Sequence, residues 1–180
     1  MGRVVVAEYV ALDGVVEAPE KWVFPSWSDE LGNYTHAQLL ASDALLLGRA
    51  TYDIFAASWP SRTGDEHADR MNAIPKYVVS STLERADWNN STVLRGGVEQ
   101  AVAEVKQKHE RDVLVWGSGT LARELLAKGL ADEYHLMLFP VVLGGGKKLF
   151  DGAVESQLSL VDSRATDKGV LILTYVPVAP

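Results

Sequence analysis

The sequence predicts an α/β fold: a three-layer α/β/α sandwich on a mixed, mainly parallel sheet that ends in a C-terminal antiparallel hairpin. Three observations predict it. Short runs rich in Val, Leu and Ile alternate with helical patterns along 180 residues, 47% of them hydrophobic, as strands joined by covering helices do. The last two runs are separated by one short turn, which reads as a hairpin. No internal repeat, low-complexity tract or linker divides the chain, so residues 1–180 are expected to form one domain.

Taken in order, the first run, at 3–10, meets Glu8 and Asp13 and lacks a small-residue cleavage pattern, so it reads as a strand and not as a signal peptide. A helix is expected at 29–41, a strand at 43–47 and a helix from Arg49 to about Ala57. The Pro-containing stretches at 18–25 and 59–63 read as loops. A strand follows at 76–80. The clearest helix spans Val98 to Lys108, with Val98, Ala101, Val102 and Val105 at three- and four-residue spacing and Glu99, Glu104, Lys106 and Lys108 opposite. Next come a strand at 112–116, a helix from Thr120 to Lys128 stopped by Gly129, and a strand at 133–142. Leu158–Arg164 and Val170–Val176 form the hairpin across Ala165-Thr166-Asp167-Lys168-Gly169.

Composition excludes several classes of function. With 17 basic and 24 acidic residues the formal charge is −7, and no basic stripe suits a nucleic acid. No apolar run reaches the roughly 18–20 residues that span a bilayer. There is no cysteine, which removes disulfides, thiolate metal sites and cysteine nucleophiles and fits a cytoplasmic address. His36, His67, His109 and His135 have no partner at metal-ligand spacing, so no metal is expected.

Three strand-to-turn junctions look like parts of a nucleotide site. In Leu45-Leu46-Leu47-Gly48-Arg49-Ala50-Thr51 a strand ends at a glycine and a helix begins at once, so a phosphate can approach the helix start, with Arg49 as a cationic fork beside it. In Tyr77-Val78-Val79-Ser80-Ser81-Thr82 a strand runs into hydroxyls that suit a phosphate or ribose, or equally a turn cap. In Val115-Trp116-Gly117-Ser118-Gly119-Thr120-Leu121 a glycine turn opens a helix, a phosphate cradle without the third glycine of the Rossmann fingerprint. A fourth cluster, Gly144-Gly145-Gly146-Lys147-Lys148, follows a long strand, and its flexibility must serve either a wide turn or a closely approaching ligand.

In this order the segments resemble the dihydrofolate-reductase-like superfamily, and most closely its riboflavin-biosynthesis reductase branch, of the RibD C-terminal-domain type. The resemblance rests on Val10-Ala11-Leu12-Asp13-Gly14, Gly48-Arg49-Ala50-Thr51, Ser80-Ser81, Gly117-Ser118-Gly119-Thr120-Leu121 and the run from Pro140 to Phe150. It implies an NADPH-dependent oxidoreductase. Arg49 with Ser80 or Ser81 would surround the 2′-phosphate; Gly48, Thr51 and residues Gly117, Ser118, Gly119, Thr120 and Leu121 would hold the pyrophosphate. Gly144 and Gly145, with Gly146, would line the nicotinamide or substrate side.

The substrate so implied is a small pyrimidine, pterin or related heteroaromatic ring; the alternatives are a dihydrofolate reductase or a nucleotide-binding protein without turnover. Relatives of this kind often pair, so a homodimer is expected. Hydride chemistry belongs to the cofactor, and the protein must position the substrate and supply a proton. Asp13, in the loop after the first strand, is the first candidate and Asp29 the second, with Glu17 and Glu30 nearby. Trp22, Phe24, Trp27, Phe55 and Trp59 are read as aromatic candidates for a stacking wall or for the core.

Overall fold

The computed structural model of the chain describes residues 1–178. Its elements are β1 (Arg3–Ala11), α1 (Asp29–Ala41), β2 (Ser42–Gly48), α2 (Arg49–Ser58), α3 (Glu66–Ala73), β3 (Lys76–Val79), β4 (Ser91–Leu94), α4 (Val98–Lys108), β5 (Asp112–Trp116), α5 (Gly119–Ala127), β6 (Glu133–Phe139), β7 (Leu158–Ala165) and β8 (Leu171–Pro177). The eight strands form one sheet in the order β4-β3-β2-β5-β1-β6-β8-β7. β1 to β6 are parallel to one another, β8 runs antiparallel to β6, and β7 pairs with β8 as a hairpin.

Strand alternation sorts the core into two layers. Val5, Ala7 and Ala11 of β1 face Leu31 and Leu39 of α1, Tyr52 of α2 and Met71 of α3. Val4, Val6 and Val10 face Val98, Ala101, Val102 and Val105 of α4 and Leu121, Ala122, Leu125 and Leu126 of α5. Each fully buried Val or Leu contributes roughly 1.5–3 kcal/mol. The two layers make the sheet the middle of a sandwich.

Three expectations are corrected. The strand expected at 133–142 stops at Phe139; Pro140 has no N–H for the ladder, and Val141 turns back to the Phe139 carbonyl. Helix α3 and strand β4 lie where no element was expected. α3 has a polar sequence and is started by Asp65, whose carboxylate accepts from the Ala68 amide at 2.8 Å. β4 has four residues, of which only Leu94 is buried, too few to show alternation.

The connection β1 to β2 passes to one side of β5, whereas β5 to β6 passes to the other side of β1. The strand order therefore reverses between β5 and β1. At such a reversal the loops diverge and leave a crevice at the carboxyl ends of the strands.

Candidate functional site

The helices begin in two different ways. α1 and α3 are capped by side chains: Ser28 Oγ accepts from the Leu31 amide at 3.2 Å and Asp65 caps α3 as above. α2, α4 and α5 start at Gly48, Gly97 and Ser118 with no side-chain cap. These three directly follow the parallel strands β2, β4 and β5, so their first-turn amides, which have no partner within the helix, collect along the carboxyl edge of the sheet.

Two of the junctions meet there. The Gly48 amide donates to Ser118 Oγ at 3.1 Å. A Cβ on Gly48 would lie 3.7 Å from Ser118, and one on Gly117 would lie 3.5 Å from Thr51 Cγ2. Gly48, Thr51, Gly117 and Ser118 are thus one cluster across neighbouring strands. Gly117 and Ser118 take successive left-handed conformations, φ 62° and 65°, a turn that aims consecutive amides to one side. For a residue with a Cβ this conformation costs roughly 1–2 kcal/mol. Gly119 lies close under the loop after β1, since a Cβ on it would stand 3.1 Å from Val16 Cγ2. Thr120 is exposed and accepts from Arg123 at 3.3 Å, whereas Leu121 is buried and packs the turn from below.

The hydroxyl junction joins the same edge. Arg49 Nη1 donates to Thr82 Oγ1 at 2.8 Å, with Asp53 3.4 Å from Arg49 Nε. Ser80 is buried, and its Oγ accepts from the amides of Thr82 and Leu83 at 3.2 and 3.0 Å, so it shapes the turn; Ser81 is exposed. Thr82 belongs to the hydroxyl run that the sequence already marked for a phosphate, a ribose or a turn cap, and Arg95 was missed by sequence reasoning. Arg95 follows β4, is exposed, and holds the 80–88 loop through the Glu84 carbonyl at 3.0 Å. Its Arg95-Gly96-Gly97 step before α4 repeats the strand–glycine–helix form of the other junctions and was the available signal.

The triple glycine joins the loop after β1. Asp13 Oδ2 accepts from the amides of Leu143 and Gly144 at 3.2 and 2.8 Å. These bonds, that from Gly144 above all, hold the Asp13 carboxyl below its usual range. Further backbone bonds, Leu12 N to Val141 O, Val16 N to Lys147 O and Leu149 N to Gly14 O, close the clasp. A Cβ on Gly146, at φ 115°, would lie 2.9 Å from Val15 Cγ1, whereas a Cβ on Gly144 or Gly145 meets nothing within 4 Å. Gly146 admits the neighbouring loop, and Gly144 and Gly145 border open space.

Asp29 is exposed at the first position of α1, in a shallow groove of about 340 Å³ lined by Trp27, Ser28, Glu30, Asp167 and Lys168. Beside it the Tyr9 ring meets Trp27 and Phe139 edge-on at 5.9 and 5.6 Å, and Trp22 meets Phe139 at 5.5 Å. The aromatic candidates therefore separate: Trp22 and Trp27 wall this end, Phe55 and Trp59 pair elsewhere, and Phe24 is 68% exposed. Glu8 was read only as an interruption of an apolar run. It is 3% exposed, its Oε1 has no partner, and burial pushes its carboxyl up to about 8.

The fold brings two histidines together that sequence spacing kept apart, His36 Nδ1 and His67 Nδ1 at 3.2 Å. Burial lowers the His67 pKa, and His36 adds to the effect. Among the described residues no group of three or more His, Asp or Glu is placed to hold a metal ion, and no helix is long and apolar enough to cross a membrane.

Comparison with known proteins places the chain in a family. The model of the RibD C-terminal domain matches residues 3–172. YyaP of Bacillus subtilis is 29% identical over 178 residues, covering 96% of this chain and 94% of that protein. Among solved structures, a putative riboflavin biosynthesis protein from Shewanella superposes with a TM-score of 0.80 at 20% identity, covering 98% of this chain and 99% of that one. The Thermotoga maritima diaminohydroxyphosphoribosylaminopyrimidine deaminase and phosphoribosylaminouracil reductase gives 0.72 at 17% identity, covering 98% of this chain and 57% of that one. The Enterococcus faecalis dihydrofolate reductase, solved with NADP(H), gives 0.65 at 17% identity, covering 97% and 96%. The fold is dihydrofolate-reductase-like.

Proposed function

The chain belongs to the family of the RibD C-terminal domain, and we propose that it is an NADPH-dependent reductase of the riboflavin-biosynthesis type acting on a small pyrimidine- or pterin-like ring. The observation that carries this reading is the meeting of two uncapped helix starts, α2 and α5, through the Gly48 to Ser118 bond, with Arg49 beside them. Free amides, helix dipoles and a guanidinium converging on one edge suit a dinucleotide with an extra phosphate. Arg49, Ser81 and Thr82 would take the 2′-phosphate. Gly48, Thr51 and the turn from Gly117 to Thr120 would take the pyrophosphate, with Ser80 and Leu121 supporting from below. Gly144 and Gly145 would border the nicotinamide and substrate.

The cofactor, when bound, supplies the hydride. The chain's own residues do the rest. Asp13, held ionised by two amides, is poorly suited to give up a proton; its work is to hold the glycine loop against β1. Asp29, exposed in the groove beside Trp27, is the better placed of the two to pass a proton in from solvent. Tyr9 and Trp27 offer aromatic edges to a flat ring. Leu12, Val142 and Leu143 are exposed apolar side chains on the two clasped loops, and Phe24 is exposed on the segment before α1.

The test is titration with NADPH and NADH in the wild type and in Arg49→Ala. A preference for NADPH that Arg49→Ala reduces about tenfold supports the site; absence of binding by either nucleotide overturns it. Turnover of the ribosylaminopyrimidine against dihydrofolate then separates the two reductase readings, and binding without turnover of either leaves a nucleotide-binding protein.

A homodimer belongs to the same proposal. β7 is an eight-residue edge strand with seven exposed positions, among them Leu160 and Val161 at 50% and 55%, the kind of edge that pairing covers. Light scattering should give twice the monomer mass, reduced to the monomer by Val161→Lys.

A further inference from the structure

Arg123, in the second turn of α5, is a half-buried arginine outside the proposed cofactor residues. Its fork is divided between two loops. Nη2 donates to Thr120 Oγ1 at 3.3 Å, on the turn proposed for the pyrophosphate. Nη1 donates to the Lys148 carbonyl at 2.9 Å, on the loop that carries Gly144 and Gly145. Among the described residues Arg123 has no carboxylate partner, unlike Arg49, Arg111 and Arg164, so its work in this fold is to join the two loops.

The Lys148 end is tied into the rest of the clasp. Lys148 bridges Val15, and both of its neighbours are bonded, Lys147 through its carbonyl to the Val16 amide and Leu149 through its amide to the Gly14 carbonyl. At the far end of the same clasp the Gly144 amide donates to Asp13 at 2.8 Å. A shift of Lys148 is therefore transmitted along both clasped loops to Gly144. α5 touches this clasp at two further points, Gly119 against Val16, and the buried Leu149 in the cluster of Leu121, Ala122 and Leu125. Those contacts are apolar and non-directional, so they hold the clasp against the helix without fixing its position along it. A planar guanidinium with its two Nη atoms on separate acceptors has fixed geometry and removes that freedom.

We propose that Arg123 is a positioning residue that sets the distance between the pyrophosphate turn and the glycine border, and so fixes where the nicotinamide ring lies once the phosphates are anchored. The inference rests on the NADPH reading above. A ligand anchored at one end gains affinity at the other only where the second site already stands at the matching distance. The same spacing governs hydride transfer, for which a misplacement of about 1 Å costs on the order of a hundredfold.

The experiment compares NADPH with 2′-phospho-ADP-ribose, the same framework without the nicotinamide ring. Calorimetry measures binding of each to the wild type, Arg123→Lys and Arg123→Gln, with melting curves of every protein. The wild type should bind NADPH more tightly than the truncated nucleotide. In both variants that ratio should fall about tenfold, while affinity for 2′-phospho-ADP-ribose changes by less than about threefold. Lysine keeps the charge without the planar fork that spans both acceptors. A ratio restored by Arg123→Lys, or an equal loss for both nucleotides, would therefore mean that Arg123 acts on phosphate as a charge, and it overturns the assignment. A ratio unchanged in the variants, whatever their melting temperatures, overturns it too. Wild-type protein that binds NADPH no better than the truncated nucleotide overturns the inference alone, whereas binding of neither overturns the cofactor reading and this inference with it.

Discussion

The two rims of the same sheet are finished differently. At the amino rim the chain closes its own polar groups. Arg3 bridges Asp112 at 2.9 Å and Glu133 at 3.1 Å. Asp43 takes the Arg111 side chain at 2.7 Å and the amides of Glu110 and Arg111. Asp132 takes the Val4 amide and Lys106. Lys76, fully buried at the start of β3, donates to the carbonyls of Asn72, Ile74 and Asn89 at 2.8–3.0 Å, with its ammonium 4.1 Å from the Trp88 ring centre. At the carboxyl rim three helices start uncapped, Ser118 holds a left-handed turn and Glu8 has no partner. One rim uses its side chains for stability, and the other leaves helix-start amides without side-chain caps.

Substitutions on the two rims should therefore separate stability from binding. The largest effect is expected for Lys76→Met, which leaves three buried carbonyls without a donor. It should lose about 3–5 kcal/mol in urea unfolding, with nucleotide affinity unchanged where the protein remains folded. An equal loss of affinity would break the division.

The pH dependence of stability should sharpen it. Glu8 has a folded-state pKa of about 8 against an ordinary 4.5, so the folded protein keeps a proton that the unfolded chain gives up. Its favourable contribution is complete below about pH 4.5 and is lost as pH rises to about 8. Unfolding at pH 5 and pH 8 should show the wild type losing on the order of a few kcal/mol more than Glu8→Gln across that window.

Gly146→Ala places a Cβ 2.9 Å from Val15 at φ 115° and should cost about 1–3 kcal/mol, with faster proteolysis of the 141–149 loop. Arg49→Ala should change stability by less than about 0.5 kcal/mol, since the side chain is 46% exposed, while removing the preference for NADPH. At the bottom of the scale Arg85→Ala, whose ion pair with Asp87 lies almost wholly in solvent, should leave both stability and binding within error.

Much of this was legible in the sequence. The strands at 43–47 and 112–116 and the helix from Val98 to Lys108 were readable because buried runs and a 3.6-residue apolar stripe are local patterns. The glycine junctions at Gly48 and Gly117 were readable for the same reason: a turn that opens a helix is contained in five residues. β4 was not readable, because its four residues are strand only through pairing with β3. α3 was not, because its polar sequence is held by Asp65 and by packing of Ala68 and Met71.

At the site, the sequence nominated Asp13 by its place after β1, and the fold engages it as the acceptor for Leu143 and Gly144, some 130 residues away in the chain. Thr82 became relevant only because the side chain of Arg49 reaches it from α2. By itself, then, the sequence determined the α/β layering, the strand-to-glycine-to-helix junctions and the family resemblance, all properties of neighbouring residues. Tertiary structure alone decided which junctions share an edge, which helix starts stay uncapped and which acid is left without a partner. Those depend on strand order and burial, and both arise from contacts between residues far apart in the chain.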